Sequence, residues 1–173
     1  MAAMSISPHP SHALHVLGWK EWVALPDLNL SRVRVKVDTG AKTSALHAED
    51  PEEFEQQGQL WIRFTLLLPW PGPLTRNEAP PARRVQAPLL EYRRVTSSNG
   101  HSERRPVICT DLELFGQRWP IEITLTERDN MRFPMLLGRE AIAGRAVVDV
   151  SRTYTAQRPP SPLSPVLNAE ESE

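Results

Sequence analysis

The sequence predicts a single all-β domain, and three observations carry that expectation. Runs rich in β-branched and aromatic side chains, several with strict alternation of apolar and polar positions, follow one another from residue 16 to residue 150. Asn99-Gly100 and Phe115-Gly116 separate such runs as hairpin turns do. One short stretch, Glu140-Ala141-Ile142-Ala143, reads as helix. With 173 residues, 40% hydrophobic and 24% charged, the chain supports one small core with mobile ends and has no room for a second.

Residues 1–13 hold Pro8 and Pro10 among small polar residues without periodicity and read as a flexible N-terminal arm. The domain proper is expected over 14–152. Its first strands are 16–25, 31–37, 43–48 and 59–68; in the second, Val33, Val35 and Val37 alternate with Arg34 and Lys36, which buries one face. Prolines at 69, 71, 73, 80, 81 and 88 make 69–88 an exposed loop. Two arms, 90–95 and 103–107, flank Ser97-Ser98-Asn99-Gly100 as a hairpin, and strands 107–112 and 117–126 follow around Phe115-Gly116. An apolar run ends at Gly138, the helix-like stretch follows, and Ala146–Val150 gives a terminal strand. Residues 153–173, with four prolines before Glu170-Glu171-Ser172-Glu173, read as a disordered acidic tail that serves solubility or mimics an acidic ligand.

Composition narrows the function classes. A net charge of -1 argues against direct nucleic-acid binding, while the bias of 17 Arg to 3 Lys suits carboxylate recognition as well as G+C-rich coding. No apolar run approaches the roughly 18 residues of a membrane span, and the first residues lack the layout of a signal peptide, so a cytoplasmic location is expected. Cys109 is the single cysteine, which leaves no internal disulfide, and it is expected as a small buried hydrophobe. No glycine-rich loop with Lys-Ser/Thr is present to hold nucleotide phosphates.

The chemistry concentrates at Asp38-Thr39-Gly40, where the alternating strand delivers a carboxylate to a turn at the edge of an apolar core. Thr39 offers a hydroxyl and Gly40 admits a close backbone. Taken alone, the triplet is also ordinary turn chemistry after a strand. Met135-Leu136-Leu137-Gly138, about a hundred residues later, is an apolar strand that stops at a glycine. These two motifs, with the segments from Gly18 to Pro26, Val35 to Ala48 and Arg105 to Ile108, resemble the bacterial retropepsin-like aspartic endopeptidases often labelled ATP-dependent zinc proteases. The likeness covers roughly residues 16–152.

The resemblance implies a closed β-barrel with a flap hairpin at 89–107 and an aspartic peptidase centre formed by Asp38, Thr39 and Gly40. One chain supplies one such aspartate: Asp111, Asp129 and Asp149 lack the following glycine. A homodimer with Asp38 and its mate at the two-fold axis is therefore implied, one carboxylate ionised and the other protonated. It also implies an association with the ligase that adds glutamates to a ribosomal protein, and a substrate with an oligoglutamate or other acidic C-terminal tail. Lys42 stands where viral retropepsins carry an acid, which leaves Arg139 without its expected partner. Lys42, Thr43, His47, Arg93, Arg94, Ser98, Asn99, Gly100 and Arg139 are the candidate substrate-binding residues; no metal or cofactor is expected. Two alternatives stay open. One is a dimeric module that binds acidic tails without cutting them. The other is a zinc peptidase, for which His47-Ala48-Glu49-Asp50 and His9, His12 and His15 are the dense ligand groups, neither forming His-Glu-x-x-His.

Overall fold

A computed structural model of the chain describes residues 14–67, 82–96, 100–127 and 133–156. Among these, the strands are β1 (His15–Gly18), β2 (Lys20–Leu25), β3 (Leu30–Asp38), β4 (Ser44–His47), β5 (Glu49–Gln56), β6 (Gln59–Leu67), β7 (Ala82–Thr96), β8 (Ser102–Leu114), β9 (Gln117–Thr126), β10 (Met135–Gly138) and β11 (Ala146–Asp149), with one helix, α1 (Arg139–Ile142). The main sheet runs β2-β3-β10-β4-β9-β8-β7-β6-β5, and Ala24 of β2 also pairs with Glu113 of β8. That pairing closes six strands into a ring, the form taken here by the expected barrel, and β7, β6 and β5 extend outward from it. The all-β class, the single short helix and the flap hairpin all agree with the sequence.

Alternation explains the ring. Val33, Val35 and Val37 of β3 turn inward against Met135 and Leu137 of β10 and Ile123 of β9, each buried. Each such side chain contributes roughly 1.5–3 kcal/mol of burial. Tight turns join β8 to β9 and β5 to β6: Phe115 and Gly116 both take positive φ, at 56° and 69°, as do Gln57 and Gly58, at 52° and 75°. Positive φ at both central positions is the turn that matches the twist of a two-stranded ribbon.

Several expectations need correction. The strand expected over 16–25 is two strands: β1 pairs with β11 in a separate parallel ribbon, while β2 enters the main sheet. The break falls where Trp19 donates to the Arg152 carbonyl and a side chain at Gly18 would collide with that same carbonyl. The loop expected over 69–88 is strand from Ala82 onward; residues 68–81 lie outside the described residues. Pro88 is tolerated because β7 changes partner there, pairing with β6 up to Pro88 and with β8 from Leu89. β5 is absent from the sequence expectations. Its acidic residues and Pro51 mask it, the proline falling in a register shift between Glu49 and Glu52 on an edge strand, where no ladder donor is required. The helix begins at Arg139, one residue earlier than expected.

The domain also runs past residue 152. Glu21, 0% exposed, accepts from the backbone N–H of Gly18 (2.7 Å), Thr155 (2.9 Å) and Ala156 (3.2 Å) and from the Thr155 hydroxyl (2.5 Å). A buried carboxylate is stable only with its lone pairs so satisfied. Residues 153–156, expected in the tail, are thus bound to the domain; 1–13 and 157–173 lie outside the described residues.

Candidate active site

Asp38 is the last residue of β3, and the side-chain alternation that buries the three valines turns its carboxylate to the opposite face. Its Oδ1 accepts from the N–H of Gly40 (3.1 Å) and Ala41 (3.2 Å), and its carbonyl accepts from Ala41. The loop is thereby wound around the carboxylate, which sits half-buried while Thr39 and Gly40 are exposed. The aspartate thus does local turn chemistry through Oδ1 while remaining partly open to solvent.

β10 braces this loop. It pairs parallel with β3, setting Gly138 opposite Asp38, and antiparallel with β4. The Gly138 N–H donates to the buried Ser44 hydroxyl at 3.0 Å. Arg139 and Glu140 donate their N–H groups to the carbonyls of Ala41 and Lys42. α1 is pinned from below by the Trp119 indole N–H, which donates to the Ala141 carbonyl at 2.9 Å.

The registers of β3, β10, β4 and β9, continued by two residues between β10 and β4 and by one between β4 and β9, place Asp38, Gly138, Thr43 and Glu122 in one row on the same face of the sheet. At a strand spacing of about 4.8 Å, Glu122 lies roughly 14 Å from Asp38. Over this row reaches Arg93 from the first arm of the flap hairpin, whose strands stay paired as far as Thr96 and Ser102. Its Nη1 is 2.8 Å from Glu122 Oε2 and 3.3 Å from Thr43 Oγ1, and its Nε donates to Glu91 at 2.7 Å. Glu122 first and Glu91 second hold the guanidinium even more firmly protonated than usual.

The other candidate residues divide clearly. Arg139 is not left without a partner: its Nη1 donates to the Gly40 carbonyl at 3.1 Å, tying the Asp38 loop from outside. Lys42 is 68% exposed and its Nζ lies 3.6 Å from Glu140, so its charge is partly answered. His47 faces Glu49 at 3.3 Å with a side chain 13% exposed. Arg94 is exposed on the opposite face of β7 from Arg93. Gly100 has φ 81°, as a hairpin tip demands, and Ser98 and Asn99 lie outside the described residues. Sequence reasoning missed Ser44, Glu91 and Glu122. The position of Ser44 in a strand next to the triplet was visible, but the parallel β4–β9 pairing that brings in Glu122 was not.

Elsewhere, Cys109 corrects its expectation: it is exposed, because Ile108 and Thr110 take the inward positions of β8. Partial burial, then the negative charge of Glu122, pushes its thiol pKa up. Asp149 forms an ion pair, 3.0 Å from Arg152 Nε, and hydrogen bonds from Ser151 hold its carboxyl below the usual range. His15 stacks on Phe115; His9 and His12 lie outside the described residues. Among the described residues no three His, Cys, Asp or Glu side chains come together as a metal site, and no helix is long and apolar enough to cross a membrane.

Comparison with known proteins agrees with this geometry. Proteins named probable alpha-L-glutamate ligase from Shewanella pealeana, Desulfotalea psychrophila and Parasynechococcus marenigrum are 37%, 39% and 42% identical over 139, 137 and 134 residues. These matches cover 80%, 79% and 78% of the chain but 29%, 28% and 28% of the relatives, so the chain spans less than a third of their length. A crystal structure of a Legionella pneumophila protein of unknown function superposes with a TM-score of 0.65 at 28% identity, covering 83% of this chain and 98% of that one. Residues 16–159 match the family described as RimB-like, retropepsin-like aspartic endopeptidase RimB. With its Asp-Thr-Gly loop, bracing strand and flap hairpin in place, the chain belongs to the RimB-like family of retropepsin-like aspartic endopeptidases.

Proposed function

We propose that the protein is an aspartic endopeptidase whose catalytic pair is Asp38 from each of two copies of the chain, and that it trims oligoglutamate or other acidic C-terminal tails. The observation that carries the reading is the loop at Asp38: one carboxylate oxygen of this half-buried aspartate is held by two backbone N–H groups, and Gly138 of the bracing strand stands opposite it. One such carboxylate is half of a hydrolytic centre. Two in close approach share a proton, because both cannot readily ionise. The ionised member takes a proton from water as the water oxygen attacks the scissile carbonyl. The protonated member donates to the carbonyl oxygen, giving a tetrahedral diol. The aspartate that took the water's proton gives it to the leaving nitrogen while the other takes a proton from a diol hydroxyl, so the C–N bond breaks, the carboxylic acid product forms and the pair again holds one proton.

Substrate choice rests on the cations around the loop and on the relatives. Lys42, Arg139 and Arg93 border the Asp38 row, with guanidinium groups suited to carboxylates. This chain matches part of longer proteins named for glutamate ligation, which supports a peptidase working on the product of such a ligase. A ribosomal protein bearing added glutamates is the substrate that the family resemblance implies, with the ligase as functional partner. The test is to incubate purified protein with a protein carrying an oligoglutamate tail and follow the mass of the product. Stepwise loss of glutamate, abolished by Asp38→Asn and untouched by chelators, supports the reading; cleavage that survives Asp38→Asn overturns it.

A further inference from the structure

Arg93 is the cation that the fold aims most directly at the Asp38 row, yet two resident glutamates already occupy it. The occupation is unequal. Glu91, two residues away on the same strand, bonds both Nε and Nη2 and orients the plane of the guanidinium. Glu122 comes from a different strand and takes Nη1, the nitrogen that also reaches Thr43. The Glu122 side chain is 41% exposed and that of Arg93 28%, so this pair is half-solvated and can open into water without leaving a buried charge behind. Thr43 in turn is pressed against Gly138, whose neighbour across β3–β10 is Asp38.

We propose that Arg93 Nη1 with Thr43 Oγ1 forms a carboxylate subsite of the cleft, and that Glu122 fills it as an internal stand-in for a substrate glutamate until an acidic tail displaces it. The inference rests on the peptidase reading for the identity of the substrate, and it adds the specificity residue and its competitor. Nη1 lies between the Thr43 and Glu122 positions of the row, roughly 10–14 Å from Asp38 by strand spacing. An extended peptide advances about 3.3 Å per residue, so the subsite receives a side chain roughly three to four residues from the bond being cut. A neutral side chain there offers nothing in exchange for the Glu122 ion pair. A carboxylate replaces one charge-assisted bond by another and so displaces Glu122, whereas a neutral tail leaves the resident pair in place.

The test separates this from a purely structural tie. In the Asp38→Asn background, which removes cleavage, binding of an oligoglutamate peptide and an oligoglutamine peptide is measured by calorimetry for Glu122→Gln, Arg93→Gln, Arg93→Lys and the Arg93→Gln/Glu122→Gln pair, each checked for folding by thermal unfolding. Glu122→Gln is expected to tighten oligoglutamate binding roughly fivefold and Arg93→Gln to weaken it roughly tenfold. Arg93→Lys, which keeps the charge and loses the fork, is expected to fall between, and the paired variant to show no gain over Arg93→Gln. The ratio of oligoglutamate to oligoglutamine affinity is expected to rise in Glu122→Gln. Weaker or unchanged oligoglutamate binding in a folded Glu122→Gln protein overturns the subsite, whether or not the wild type cleaves. Failure of the wild type to cleave, with the binding order as expected, strikes the peptidase reading and leaves the subsite standing.

Discussion

Gly138 stands directly across the β3–β10 pairing from Asp38, and a Cβ on Gly138 would lie 2.5 Å from the carbonyl carbon of Thr43. The glycine is required by this close approach and not by its backbone angle, since its φ of -74° is open to any residue. The bracing strand can therefore lie under the Asp38 loop only while position 138 has no side chain.

Gly138→Ala is accordingly expected to force β4 and β10 apart. The cost is about 2–4 kcal/mol of stability, from overpacking and from loss of the Gly138 N–H bond to Ser44. Denaturant unfolding should show the midpoint falling, with peptidase activity lost in the protein that remains folded. A variant of unchanged stability and activity would show that the loop does not depend on this contact.

Glu21 tests the extension of the domain beyond residue 152. Gly18, Thr155 and Ala156 all donate to its carboxylate, so Glu21→Gln turns an amide NH2 toward another N–H group in a site closed to water. The expected loss is about 2–4 kcal/mol. A chain ending at residue 152 should lose a similar amount, and the two changes together should cost little more than either alone. Additive losses would mean that Glu21 does not act through Thr155 and Ala156.

Tyr92 supplies a pH dependence. Burial first, then the hydrogen bond to Glu53, pushes its phenol up to about 12, from the ordinary value of 10.0. Between these values the unfolded chain has released the proton and the folded chain keeps it, so this contribution to stability is present below pH 10 and is lost as pH rises toward 12. Ultraviolet titration of the phenolate should show a late component that disappears in Tyr92→Phe. An unchanged titration curve in that variant would contradict the assignment.

The conformation of the Asp38 loop was legible in the sequence because its signals are local. Alternation in Val33–Val37 fixes which way Asp38 points, and an apolar run ending at Gly138 marks the brace. What escaped depends on pairings between distant segments. Glu122 reaches the Asp38 row only through the parallel β4–β9 pairing, and a parallel partner leaves no turn in the sequence to announce it. Glu21 reads as one more charge in a strand until β1, β2 and the segment after Arg152 meet around it. β5 was hidden for the opposite reason. An edge strand with charged side chains and a bulged proline is built to resist further pairing, and so lacks the composition by which strands are recognised.

The central claim is that two copies of Asp38 make one site, and subunit mixing tests it most directly. Wild-type chain is unfolded and refolded with increasing proportions of Asp38→Asn chain, and cleavage of the oligoglutamate tail is measured per wild-type chain. The shared-pair account expects activity per wild-type chain to fall in proportion to the wild-type fraction, approaching zero in large excess of the variant, because each mixed pair lacks one carboxylate. Activity per wild-type chain that stays constant across the series would contradict it.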